Sequence, residues 1–257
     1  MLTILSRPGS VWRVTLNRTD SRNAVTRGTL EELGVALQES AASPECRVVL
    51  LTGEGSHFCA GADVGDLSEP SSAAAFERAF AEVLTAIADH PVPVVARIQG
   101  AALGAGCQIA VACDLAVAAT DAKIGIPSAK LGIVIGFENI QRLVLAVGPK
   151  RASHILLTGR PVDGATAAAW GLVNEAVEPG SLDDRVRELT EEIAAAAPLS
   201  VRGTKQALGV VRRRLAAAST EDLAEVEAAV AAAFASEDLR EGLASFRERR
   251  SPRFEGR

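Results

Sequence analysis

The stretch P-V-V-A-R-I-Q-G-A-A-L-G-A-G-C-Q-I-A-V-A-C-D, Pro93 to Asp114, most restricts what this chain can become. Val94 to Ile98 is a short apolar run and reads as a buried strand. Gly100, Gly104 and Gly106 break it, and small apolar residues resume from Cys107 to Ala112 as a short helix. A strand that turns through glycines into a helix start leaves backbone N–H groups without partners. Those groups make a site for negative charge, fixed or developing. One candidate ligand is the pyrophosphate of a dinucleotide. Gly104-Ala105-Gly106 begins that fingerprint and Asp121 supplies a later acid, but Ile109 stands where a third small residue belongs. The other candidate is the oxyanion of a thioester turning into an enolate, which needs a second N–H from elsewhere in the chain.

A second loop of the same kind lies upstream. Val48 to Thr52 is apolar, Gly53-Glu54-Gly55 turns the chain, and H-F-C-A-G-A-D follows at 57–63. Two strand-then-glycine loops therefore exist, one reaching Ala62 and one reaching Ala105. F-C-A-G-A-D is followed by Q-G-A-A-L-G-A-G-C, C-D-L-A-V at 113–117, P-S-A-K-L-G at 127–132 and Q-R-L at 141–143. L-T-G at 157–159 and A-x-x-W-G-L-V-N at 167–174 complete the order. In this ordered set the chain resembles the crotonase superfamily, the enoyl-CoA hydratase/isomerase family, over nearly its whole length. The resemblance implies an α/β fold, a spiral of β-β-α units with a C-terminal helical oligomerisation region. It divides the chain into a core domain at 1–195 and a helical trimerisation region at 196–257. It also implies a homotrimer or homohexamer.

Composition agrees with a packed enzyme-sized chain. At 257 residues and 48% apolar content there is ample material for a core. A net charge of −5 argues against a nucleic-acid partner. With 23 Arg against four Lys, most positive charge is guanidinium, suited to phosphate. No apolar run reaches the length of a membrane span. Cys46, Cys59, Cys107 and Cys113 lack metal spacing and no leader precedes them, so they read as reduced thiols of a cytoplasmic protein.

In chain order, Val11–Leu16 alternates as a half-buried strand and Thr26 begins a helix through Leu30, Leu33, Val35 and Leu37. Val48–Thr52 is a strand, Gly65–Ser72 a polar mobile segment, and Ala73–Asp89 an amphipathic helix. Leu115–Ala119 is a strand. Gly132–Val147 turns into a helix, and Lys150–Thr158 and Ala165–Trp170 are helices closed by Gly159 and Gly171. Leu172–Val177 is a strand. Helices then cover 182–197, 200–215 and 220–250.

The resemblance assigns roles residue by residue. The family holds its acyl-CoA thioester with two backbone N–H groups, here those of Ala62 and Ala105. Its hydratases work with two glutamates, and the matching positions are Gln108 and Ser128. Neither carries a carboxylate, so the usual acid–base pair is absent. Glu138, in the turn and helix after Gly136, is a substitute candidate; as a helix-start glutamate it has a structural reading too. Asp66 and Glu69 are loop carboxylates able to swing in. His57 and Lys130 read as packing and surface residues. The family pattern places coenzyme A along Arg22, Ala24, Ala60, Asp63 and Val64, with Phe246 and Arg249 touching it from the C-terminal segment. Asp63 also reads as a loop cap. No cofactor or metal is implied beyond the coenzyme A of the ligand. The expected activity is an enoyl-CoA hydratase/isomerase-type lyase or isomerase of fatty acid metabolism with a nonstandard acid/base set. The competing expectation is a non-catalytic acyl-CoA-binding protein.

Overall fold

The run V-V-L-L-T-G is buried at every position. A strand with no exposed face needs cover on both sides and parallel neighbours reached by crossovers. The computed structural model, which describes residues 3–7, 9–67, 70–215 and 218–257, supplies both. The main sheet contains β1 (Thr3–Ser6), β2 (Val11–Leu16), β3 (Val48–Gly53), β4 (Val94–Ile98), β6 (Leu115–Ala119) and β9 (Glu175–Val177), in that spatial order. β1 pairs antiparallel with β2; every later pairing in this sheet is parallel. A second sheet is built from β5 (Ala101–Leu103), β7 (Lys123–Gly125) and β8 (Val162–Asp163), with β7 in the middle.

Side chains alternate across the main sheet as period two requires. Val49, Leu51, Val94 and Ala96 enter the main core, with Leu30, Leu33 and Leu37 of α1 (Arg27–Ala42) and Phe76, Phe80 and Leu84 of α2 (Pro70–Ala88). Val48 and Val95 point to the other face, where Ile193 and Ala194 of α6 (Leu182–Ala195) close over them. α3 (Ala105–Ala112) is buried around nearly its whole circumference. α4 (Phe137–Thr158) and α5 (Gly164–Trp170) follow, each ending on a left-handed glycine, Gly159 and Gly171. α7 (Pro198–Leu215), α8 (Thr220–Ala235) and α9 (Glu237–Glu248) make up the helical end.

Several sequence expectations shift. β1, β5, β7 and β8 are two to four residues long, too short to show a period. Only Glu175–Val177 of the 172–177 run is strand, because Asn174 turns its side chain onto the Ala116 amide at 2.8 Å. Gly132–Ile135 is not yet helix; α4 starts at Phe137 and passes Gly148-Pro149 with a kink. The expected 220–250 helix breaks at Ser236, whose hydroxyl caps Leu239 at 3.0 Å. In the expected mobile segment, Asp66 is held by the Arg27 amide at 2.8 Å and α2 already begins at Pro70. Glu69 lies outside the described residues.

A buried ion pair ties the helical end to the core. Lys205 of α7, 7% exposed, reaches Asp114 Oδ2 at 2.6 Å, and the same oxygen accepts the Val94 amide at 2.8 Å. Lys205 also donates to the carbonyls of Val92 at 3.0 Å and Ile87 at 3.4 Å. Burial pushes the Lys205 ammonium pKa down, and the Asp114 carboxylate opposes that shift. Removing one partner of such a pair leaves an uncompensated buried charge, at a cost of about 3–5 kcal/mol. Lys205→Ala is therefore expected to lower the unfolding free energy by about that amount in urea titrations. Arg213→Ala, which removes the exposed pair with Asp89 at 3.3 Å, should cost under about 1 kcal/mol. Equal losses for the two variants would contradict the role given to Lys205.

Candidate functional site

The loop Phe58–Asp63 runs between two neighbours and bonds alternately to each. Toward β5, the Phe58 amide donates to Gln99 O and the Cys59 amide to Ala101 O, both at 2.9 Å. The Leu103 amide donates back to Cys59 O at 2.9 Å. Toward the other side, the Ala60 amide donates to Arg22 O at 3.0 Å, while Val25 exchanges bonds with Gly61 O and the Asp63 amide, each at 2.8 Å. This alternation turns the amides of Gly61 and Ala62 away from both partners, and among the described residues they have no acceptor.

The second loop leaves amides free for a different reason. Gly104, at φ 53° and ψ −115°, caps α3 in a conformation closed to L side chains. Its own amide donates to Gly125 O at 2.9 Å. The first bond back along the helix is Gln108 N–H to Gly104 O at 3.1 Å, so the amides of Ala105, Gly106 and Cys107 lie ahead of the ladder. Gly106 is where the two loops meet. A Cβ there would collide with the carbonyl oxygen of Cys59. Gly104 lies against Gly61 at an ordinary contact distance, with the Gly61 Cα 3.7 Å from where a Cβ on Gly104 would be. Ala62 and Ala105 are thus each one residue beyond a glycine-to-glycine contact.

Gln108 follows Ala105 by three residues, on the same side of α3. It is 8% exposed, and its Oε1 is buried with no hydrogen-bond partner among the described residues. Leaving a buried polar atom unmet costs about 1–3 kcal/mol, which a ligand donor or water would recover. Ser128 opens the short turn Ser128–Lys130 just after β7. The β5–β7 pairing, Leu103 against Gly125, carries that turn to the same end of the small sheet as Gly104. Cys59 and Cys107 flank the loops, and burial pushes both thiols up to about 12, so neither offers a thiolate.

The other sequence candidates occupy definite places. Glu138 is exposed at the start of α4 and pairs with Arg142 at 3.4 Å. Asp66 holds the first amide of α1. His57 Nδ1 accepts the Ala101 amide at 3.1 Å, a packing role, and Lys130 is exposed beside Gly159. Arg22, Ala24, Ala60, Asp63 and Val64 come together where the Asn17–Val25 loop crosses Phe58–Asp63. Asp63 pairs with Arg18 at 2.9 Å and accepts the Gly65 amide at 3.0 Å, so it caps its own turn. Phe246 and Arg249 are exposed on α9 and at its left-handed end. α9 packs on the Leu131–Gly132 turn that follows Ser128. The Arg18–Asp63 pair escaped sequence reasoning because 45 residues separate its members. No cluster of three metal-ligating side chains occurs, and no helix is long and apolar enough to cross a membrane, among the described residues.

Comparison with known proteins gives the family. The sequence profile of the enoyl-CoA hydratase/isomerase family matches residues 6–257. A 2,3-dehydroadipyl-CoA hydratase of Escherichia coli is 33% identical over 254 residues, 99% of this chain and 98% of that one. A short-chain-enoyl-CoA hydratase of Clostridium acetobutylicum is 34% identical over 252 residues, 96% and 95% of the two chains. The crystal structure of an enoyl-CoA hydratase from Mycobacterium avium subsp. paratuberculosis superposes with a TM-score of 0.86 at 26% identity, covering 99% of each chain. With its parallel sheet, short second sheet and helical end, the chain has the crotonase fold, and it belongs to the enoyl-CoA hydratase/isomerase family, whose members act on acyl-CoA thioesters as lyases and isomerases.

Proposed function

We propose that this protein binds acyl-CoA thioesters, those of fatty acids included, with the thioester oxygen held by the amides of Ala62 and Ala105. The observation that carries this reading is the pair of unsatisfied amides on two loops locked together at Gly61–Gly104 and Cys59–Gly106. Each donor aimed at a developing oxyanion lowers the barrier by about 3 kcal/mol. Coenzyme A would lie along Arg22, Ala24, Ala60, Asp63 and Val64, bound largely by backbone groups. Phe246 and Arg249 would meet it from α9 of the same or a neighbouring subunit. The chemistry draws on no group beyond the coenzyme A of the ligand. Four buried free cysteines fit a protein of the reducing cytoplasm.

In this reading residues 1–195 form the catalytic core and 196–257 the trimerisation region. The support is an apolar stripe on α7, where Leu208, Val211 and Leu215 are all more than half exposed at helical spacing. Contiguous exposed apolar surface of this kind marks contact between chains. Light scattering should give three or six times the mass of one chain. A single-chain mass would remove the trimer from the account.

The reaction is the point of departure from the family. Gln108 and Ser128 take the places of the two glutamates that hold and activate water. Gln108 can orient a water or the substrate but cannot exchange a proton near neutral pH. Ser128 offers a hydroxyl, a weak base unless a neighbouring group activates it. We therefore expect negligible hydration of crotonyl-CoA by the parent protein. Gln108→Glu with Ser128→Glu should raise hydration above the parent, and either change alone should do little, because the pair acts as a unit. Efficient hydration of any enoyl-CoA by the unmodified protein would refute this reading. The same absence of carboxylates supports a second reading, an acyl-CoA-binding protein without turnover.

A further inference from the structure

One backbone carbonyl, that of Val92 just before β4, has two side chains on it. Lys205 Nζ donates to it at 3.0 Å, and Nδ1 of the buried His90 ring also stands 3.0 Å away. The Val92 amide lies 3.3 Å from the same Nδ1. The other ring nitrogen faces α1, with Nε2 3.0 Å from Ser40 Oγ and 3.2 Å from Leu37 O. Ser40 Oγ in turn donates to Leu37 O at 2.9 Å. His90 is thus held on both sides by backbone, between α1 and the approach to β4.

This frame accepts two arrangements of hydrogens. In the neutral ring with its proton on Nε2, that N–H donates to Ser40 Oγ and Nδ1 accepts the Val92 amide. Val92 O then belongs to Lys205. A second proton turns Nδ1 into a donor. The Val92 amide loses its acceptor, and Val92 O must serve an imidazolium and an ammonium together. Leu37 O and Val92 O now face the two ring N–H groups, so the charged ring keeps an acceptor on each side. Lys205 is the partner with freedom to yield, since its charge sits on a flexible four-carbon stem. It also has Asp114 Oδ2 at 2.6 Å to fall back on.

We propose that His90 is a proton-operated latch on the helical end: neutral, it leaves Val92 O to Lys205 and α7 stays docked; protonated, it takes Val92 O and loosens α7. The latch is independent of the thioester clamp. α7 is docked by cations, with Lys205 on Ile87 O at 3.4 Å and Arg212 on Ala88 O at 2.7 Å, the last two carbonyls of α2. Around His90, α7 brings Lys205, Arg212 and Arg213, and carries no acidic residue. The answering carboxylates are Asp89, paired with Arg213 at 3.3 Å, and Asp114 beyond α3. A further positive charge is therefore placed against the cationic side of the joint. Burial pushes the His90 pKa down from its ordinary 6.5, and the Lys205 ammonium adds to that, while the Val92 and Leu37 carbonyls and Asp114 oppose it. The unfolded or undocked chain consequently takes the proton first. Docking is at full strength above about pH 6.5 and weakens as the pH falls below it.

The test is backbone hydrogen–deuterium exchange of the full chain at about pH 7.5 and about pH 5.5, read by mass spectrometry and corrected for the intrinsic pH dependence of exchange. In the parent, peptides from 198–215 should exchange several-fold faster at the lower pH, with about 10-fold as the ceiling for one proton over one pH unit. Peptides from β3 should not change. His90→Gln keeps a donor toward Ser40 but takes no proton, so its 198–215 peptides should exchange equally at the two pH values. His57 and His154 are present in both proteins and cancel. No rise in the parent would overturn the latch. So would an equal rise in His90→Gln, or a rise in β3 as large as that in α7. Should His90→Gln fail to fold, the ring of His90 in the parent is titrated by NMR instead. Its midpoint should lie below 6.5 and coincide with the midpoint of the α7 exchange. A midpoint at or above 6.5 would overturn the proposal.

Discussion

The site depends on two pieces of backbone coming closer than side chains allow. The carbonyl of Cys59 sits where a Cβ of residue 106 would be, and Gly61 backs onto Gly104. Because these positions are glycines, the loop Phe58–Asp63 can pair with β5 as a strand would, through Cys59 and Ala102. That pairing consumes the amides on one side, and the bonds to Arg22 and Val25 consume those on the other. What remains, among the described residues, is a short length of chain whose amides have no acceptor, opposite a helix start with the same property. Fold and site are here the same arrangement. Unpaired donors are costly in a folded chain and persist only when the surrounding structure overdetermines them.

The helical end is coupled to this arrangement at two places. Lys205 holds the far ends of α2 and α3 together with the start of β4. α9 supports the turn after Ser128, with Gly242 packed on Leu131 and Gly132 packed on Asp238. Both contacts are long in sequence and short in space. Disturbing the helical end should therefore be felt along both walls of the site, whether or not that end also joins subunits.

Much of this was legible in the sequence because glycine carries positional meaning that apolar residues do not. The strands β2, β3, β4 and β6, the helix after Gly104 and the glycine stops at Gly159 and Gly171 follow from local pattern alone. The short sheet β5–β7–β8 did not, because strands of two or three residues have no period and exist only through tertiary pairing. The break at Ser236 was missed because helix-forming sequence continues on either side, alanine-rich before it and charged after it, while a single serine cap decides the boundary. Among site candidates, Asp63 caps its turn as its position suggested, whereas Asp66 looked mobile in sequence yet is spent on the Arg27 amide.

The chemistry proposed here is enolate chemistry with a changed proton inventory: two donors for the oxygen, Gln108 on α3 and a hydroxyl at Ser128. The central claim is the clamp, since every chemical step assumes it. Side-chain truncation cannot delete a backbone donor, but proline removes the N–H. Calorimetry of butyryl-CoA and of free coenzyme A, on the parent and on Ala62→Pro with its circular dichroism unchanged, tests the claim most directly. The account predicts that Ala62→Pro loses far more affinity for butyryl-CoA than for coenzyme A, and equal losses for the two ligands would contradict it.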